Sequence, residues 1–190
     1  MAGLPAAPAQ PIFYYDLGSP ACYLVAEQII ARLPEMAEWE PVFAEQIGGI
    51  ELDPDRESLR RQVGERGMQP LRWPATWPPD TRVAMLTATY AKRVGRAVAF
   101  SLAAFRQAFA GGRDLGDADT VLIAAAACEM HPTAVLKGIK LRSVGQALEV
   151  AGGRALAAGV GSLPAIQVGS HVFEGDRSIE LARSALTAGR

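Results

Sequence analysis

The chain has 190 residues, of which 49% are hydrophobic and 21% charged, with a formal net charge of −1 and a pI near 6.1. That length makes one core, or one core carrying a sizeable insertion, and the balanced charge gives no electrostatic case for nucleic acid or an anionic membrane. Two cysteines, Cys22 and Cys128, are too few for a disulfide framework, and no run reaches the roughly 18 apolar residues of a membrane-spanning helix.

In chain order, the first ten residues are Ala- and Pro-rich and are expected to fray. They lack the basic and Leu-rich regions of a signal peptide, so a reducing cytoplasm, where a free thiol survives, is the expected compartment. "PIFYY" (11–15) reads as a short buried strand, followed by a helix from about Pro20 to Leu33. "WEPVFAE" (39–45) offers a second strand, whose proline suggests an edge or an entry point.

From about Pro54 to Ala158 the pattern is helical throughout. Leu86, Tyr90, Val94, Leu102, Phe105 and Phe109 fall at helix-face intervals, with a break expected at Gly95 and a stop at Gly111-Gly112. Asp117 starts another helix through "LIAAAACEM", and two more fit 132–140 and 142–158. Trp73, Trp77, Pro78 and Pro79 suggest a loop that covers a site or packs subdomains together. "PAIQV-GS-HVFEG" has the two apolar runs and tight turn of a β-hairpin. A last helix is expected from Asp176.

Without its helical block the order is βαβ followed by ββα, the connectivity of a thioredoxin-like domain. The expected class is α/β, a thioredoxin-like fold with an inserted all-helical subdomain. Residues 11–50 and 159–188 would form the first part, and residues 51–158 the insertion.

Three short stretches could carry chemistry. In "DLGSPACYL", Ser19-Pro20 marks a helix start, since Ser caps and Pro suits the first helical position. The same place, where a strand end meets a helix N-terminus, also gathers N–H groups and a positive dipole that stabilise an anion such as a thiolate. A Ser hydroxyl there can donate to a ligand's sulfur but cannot form a disulfide. In "GVGSLPAIQV", Pro164 is either a plain strand-entry residue or a cis-proline, with Leu163 offering its backbone to an extended peptide. In "FEGDRSIEL", Asp176 and Arg177 either cap a helix and sit on the surface or grip the charged ends of a ligand.

Together and in this order, the three stretches resemble the kappa-class glutathione transferases and 2-hydroxychromene-2-carboxylate isomerases, a branch of the DsbA-like thioredoxin superfamily. "WPPDTRVAMLTATYA" and "AFRQAFAGGRDLGDADTVL" are similar to that branch's helical insertion, so the resemblance spans roughly residues 11–187. It implies glutathione as cosubstrate, with Ser19 as the hydroxyl that activates its thiolate. It further implies that Leu163 pairs with the peptide backbone beside a cis Pro164, and that Gly175, Asp176 and Arg177 hold the γ-glutamyl end. The implied partner is a small hydrophobic, aromatic electrophile, against an apolar wall for which Met85, Leu86 and Tyr90 are the candidates. A homodimer is implied by analogy only.

Three positions differ from the branch's pattern. Ala21 and Cys22 stand where it has Tyr or Phe and a small hydroxyl or Ala. Its G-x-D-R is shortened to Gly175-Asp176-Arg177, and the stretch from Gly48 to Pro74 is short and lacks the Asn and Lys that hold the glycine end.

Cys22 occupies the second position of a C-x-x-C motif. It reads either as a small buried residue or as a first-turn thiol of lowered pKa, which would make Cys22 a second catalytic candidate beside Ser19. Cys128 fits a helical core. No Cys or His pair has metal-ligand spacing, so no metal is expected. A thiol oxidoreductase working through Cys22 alone and a non-catalytic thioredoxin-fold binding protein remain alternatives.

Overall fold

The computed structural model describes residues 10–49, 51 and 53–188. The fraying expected for the first ten residues concerns residues 1–9, outside that range. One mixed sheet has the strand order β2–β1–β3–β4. Strands β1 (Ile12–Tyr15) and β2 (Glu38–Pro41) run parallel, joined by α1 (Pro20–Arg32). Strands β3 (Ala165–Val168) and β4 (His171–Glu174) form a hairpin whose first strand pairs antiparallel with β1.

Between β2 and β3 the described residues make a 3-10 turn (Ala44–Ile47) and then six α-helices. These are α2 (Arg56–Glu65), α3 (Arg82–Arg93), α4 (Ala97–Phe105), α5 (Ala118–Ala126), α6 (Pro132–Gly138) and α7 (Arg142–Ala157). Helix α8 (Ser178–Ala188) closes the fold. No helix of the described residues is long and apolar enough to cross a membrane. Among the described residues every strand comes from outside the helical block, so the thioredoxin-like fold with its helical insertion is what the chain adopts.

The alternation of β1 covers both faces of the sheet. Phe13 and Tyr15 point one way, stacked at 5.3 Å, with Trp39 of β2 edge-on to Phe13 at 5.1 Å. They share one core with Leu24 and Val25 of α1, Phe100 and Phe105 of α4, and Ile179 of α8. Tyr14 points the other way, into a smaller cluster with Val42, Ile47 and Ala151 and Ala155 of α7. Each large side chain removed from water contributes about 1.5–3 kcal/mol. The larger core therefore runs unbroken from the sheet into the insertion. A buried carboxylate adds to the join: Glu40 of β2 accepts from Lys92 of α3 at 2.7 Å and from Arg154 of α7 at 2.8 Å.

Several boundaries differ from the sequence expectation. Strand β2 stops at Pro41, which lacks an N–H to continue a ladder, and it is indeed an edge strand. The helical pattern is interrupted over 66–81, where four prolines break it and Trp73 packs edge-on against Trp77 at 4.9 Å. Gly95, at φ +71, separates α3 from α4 as expected, and α4 ends in a π-helical turn (Arg106–Ala110) before Gly111. Helix α5 stops at Ala126 rather than near Met130, with Glu129 left-handed at φ +61. The last helix begins at Ser178, leaving Asp176 and Arg177 in the turn before it.

Candidate active site

Ser19 caps α1 from an extended backbone, and its Oγ accepts from the Cys22 N–H at 3.2 Å. That cap uses an acceptor lone pair, and the hydroxyl proton lies within reach of the Cys22 thiol. The turn that carries Ser19 is fixed from beneath by Asp16. The Asp16 carbonyl accepts from the Ser19 N–H at 3.1 Å, and its carboxylate accepts from Gly18 N–H at 2.8 Å, Ala44 N–H at 2.9 Å and Thr81 Oγ1 at 3.3 Å. One side chain thus ties the end of β1, the 3-10 turn and the start of α3 together. Burial raises the Asp16 carboxyl above the ordinary range, and its three donors oppose that without cancelling it.

Ser19, Pro20 and Ala21 form one wall of a cleft of about 400 Å³. The 3-10 turn supplies Ala44, Ile47 and the glycines after it, and the opposite side is Gly161, Ser162, Leu163 and Asp176. The Leu163–Pro164 peptide is cis. Among the described residues, no hydrogen bond uses the backbone N–H or C=O of Leu163. Gly175, at φ +72, donates its N–H to the Pro164 carbonyl at 2.9 Å, so it joins the two loops rather than lining the cleft. Glu174 holds the same loop. Its carboxylate accepts from Gly161 N–H at 2.6 Å, Ser162 N–H at 3.0 Å and Ser162 Oγ at 2.8 Å. Burial alone would raise that carboxyl, but the donors outweigh it and hold it below its usual value.

A fourth wall was not anticipated. Asp55, Ser58, Leu59, Gln62 and Arg66 line the cleft from one face of α2, at helix spacings of three and four residues. Gln62 Nε2 donates to Asp176 Oδ2 at 3.3 Å. That spacing was visible in the sequence, but a polar helix face reads equally as a solvated one.

Other expected residues are placed differently. Cys22 is fully buried, and burial pushes its thiol up to about 12 despite contacts with the Ser19 hydroxyl and the Asp16 backbone. Burial therefore opposes the lowered pKa considered for it. Iodoacetamide should therefore leave Cys22 unmodified in the native protein and alkylate it once denaturant opens the core, as mass spectrometry would read. Rapid native alkylation would show that the thiol is accessible. Met85 is core, fully buried, with its sulfur accepting from Leu17 N–H at 3.3 Å, so it offers no surface to an electrophile. Tyr90 lies against α6, where a Cβ on Gly138 would overlap its ring. Leu86 does face open space, a second cavity of about 570 Å³ beside Phe43, Pro78 and Leu148. Arg177 is exposed and does not line the cleft. Among the described residues, no group of three or more His, Cys, Asp or Glu could hold a metal ion.

This frame, a strand end, a capped helix, a cis-proline loop and an inserted helical block, matches the DsbA-like thioredoxin domain over residues 12–187. The chain belongs to that family. Among solved structures, this DsbA-like protein is similar to a 2-hydroxychromene-2-carboxylate isomerase, with a TM-score of 0.80 and 15% identity over 94% of each chain. It is also similar to a protein described as a probable DsbA oxidoreductase from Streptomyces coelicolor, with a TM-score of 0.75 and 17% identity over 95% of this chain and 89% of that one. Pseudomonas aeruginosa DsbA follows at a TM-score of 0.62 and 14% identity, over 98% and 89%. No curated protein matches the DsbA-like chain in sequence. At these identities the likeness is one of fold.

Proposed function

We propose that this DsbA-like protein is a glutathione-dependent isomerase or transferase acting on a hydrophobic, aromatic electrophile. The observation that carries this is the pairing at the start of α1. A hydroxyl stands where a dithiol enzyme has its attacking sulfur, and the remaining thiol is buried beneath it with its pKa pushed up to about 12. A site so built suits a sulfur brought in by a ligand.

Glutathione would lie in the cleft with its cysteine backbone paired to Leu163, as an added strand pairs with a sheet edge. Its sulfur would sit at the N-terminus of α1, where the dipole and the Ser19 hydroxyl favour thiolate. Asp176 would take the γ-glutamyl ammonium. The thiolate then adds to the electron-poor carbon of a conjugated double bond, forming a C–S bond while the π pair moves to the conjugated oxygen. In isomerisation the new single bond rotates, the pair returns and the thiolate leaves. In transfer a leaving group departs and the thioether remains. Phe43, Pro78 and Leu86 would supply apolar contacts from a second cavity across the 3-10 turn, beside the polar Glu45, Asp80 and Arg82.

Calorimetric titration of glutathione into the reduced protein tests this. Micromolar to millimolar binding, weakened at least tenfold by Asp176→Ala, is the expected result. No binding at several millimolar, confirmed by equilibrium dialysis, would remove the proposal and leave a thioredoxin-fold binding protein as the better account.

A further inference from the structure

Arg66 closes α2, with its N–H bonded to the Gln62 carbonyl at 3.1 Å, and it lines both the cleft and a neighbouring cavity beside Glu27 and Gln69. It is half-buried, yet among the described residues its guanidinium makes no hydrogen bond or ion pair. Lys92, a partly buried cation elsewhere in the chain, is held by both Glu38 and Glu40. A guanidinium taken partly out of water and without a protein hydrogen-bond partner is suited to an acceptor brought by a ligand, and carboxylates meet it bidentately.

Arg66 is also the only cation among the described residues that line the cleft, and the acids whose charge acts on it are Glu180 and then Asp176. Asp176 is near, because Gln62, one turn before Arg66, donates to it at 3.3 Å. The cleft therefore presents one cationic and one anionic grip at the same end. An α-amino acid head group carries its ammonium and carboxylate on a single carbon and answers both. A bare dicarboxylate would set its second charge against Asp176.

We propose that Arg66 anchors the α-carboxylate of the ligand's γ-glutamyl end while Asp176 holds its ammonium, so that the cleft selects thiols bearing a free amino-acid head group. This rests on the glutathione reading and assigns to α2 the part expected of Arg177, which lies outside the cleft. The glycine end of the ligand is not needed for this grip.

Three thiols separate the possibilities: glutathione, γ-glutamylcysteine, which lacks the glycine carboxylate, and cysteinylglycine, which lacks the γ-glutamyl head. Each is titrated into full-length wild type, Arg66→Ala and Arg66→Lys, with circular dichroism and thermal melting to show an unchanged fold. In wild type, γ-glutamylcysteine should bind within about threefold of glutathione, and cysteinylglycine more than tenfold more weakly. Arg66→Ala should weaken glutathione and γ-glutamylcysteine alike, by about tenfold or more, without changing cysteinylglycine. Arg66→Lys should recover only part, because an ammonium cannot offer the planar fork. Weakening of glutathione and cysteinylglycine with γ-glutamylcysteine untouched would place Arg66 at the glycine end and overturn the assignment. So would unchanged glutathione binding in Arg66→Ala, which leaves the glutathione reading standing. If wild type binds none of the three, the glutathione reading itself fails and this inference falls with it. Should Arg66→Ala not fold, the wild-type ranking still decides, since equal binding of cysteinylglycine and γ-glutamylcysteine contradicts a head-group grip.

Discussion

Ser19→Ala is expected to lower kcat/KM for glutathione-dependent turnover by about a hundredfold or more, the usual cost of removing one donor aimed at developing negative charge. The Ser19 hydroxyl accepts from the Cys22 N–H, and its proton would turn to a sulfur in the cleft. Without it, the pKa of bound glutathione should move back toward that of a free thiol. Ultraviolet absorbance of the thiolate, titrated with the ligand bound, reads that shift directly. A merely structural role would not move it. The lost cap also costs stability, about 1 kcal/mol, or roughly 2–4 °C in Tm for a domain of this size. Unchanged turnover together with an unchanged thiol pKa would exclude Ser19 from the chemistry. Ser19→Cys is the informative contrast. It sets a second sulfur against the Cys22 thiol, and disulfide exchange should rise above the wild-type level.

Asp16→Ala should be strongly destabilising. It strands the Gly18 and Ala44 N–H groups and the Thr81 hydroxyl in the interior. At about 1–3 kcal/mol for each buried donor left unmet, and with the hydroxyl free to turn away, a loss of roughly 3 kcal/mol or more is expected. That corresponds to a fall in Tm of about 6–12 °C.

The same residue has a signature in pH. Burial raises its folded pKa above the ordinary value of about 3.8, so above pH 3.8 the folded chain keeps this proton longer than the unfolded chain does. Wild-type stability should therefore carry a negative slope from about pH 4 upward through the folded pKa, at most ~1.4 kcal/mol per pH unit from this group. Asp16→Asn, which cannot titrate, should lose that part of the slope while remaining less stable, because its amide turns a donor toward a backbone N–H. Urea unfolding of both proteins from pH 4 to 8 measures the difference. Parallel stability curves would show that Asp16 is not held protonated by the fold.

Much of the architecture is written in local patterns. The apolar run at 11–15, Ser-Pro at 19–20, the glycine at 95 and the Gly-Ser turn at 169–170 each act over a few residues, through alternation, capping or positive φ. That is why strands, helices and their order could be read before any contact was known. Cis-proline geometry at Pro164 and the placement of Ser19 and Asp176 followed from the resemblance of whole stretches, since each residue alone has an ordinary explanation.

Other features depend on which distant segments meet, and no local pattern encodes that. Cys22 lies in a first helical turn, where the dipole alone would lower its pKa. The assembled core buries it, and desolvation wins. Met85 and Leu86 are adjacent on one helix, yet one faces the core and the other a cavity. Arg66 and Arg177 are both cations near polar stretches, and only the docking of α2 against the turn before α8 brings Arg66, not Arg177, to the cleft. The sequence by itself determined the elements, their order and the hydroxyl at the head of α1, because these arise from neighbours along the chain. Tertiary structure alone decided which thiol is hidden, which carboxylate is buried and which cation faces a ligand, because desolvation and charge pairing belong to the assembled fold.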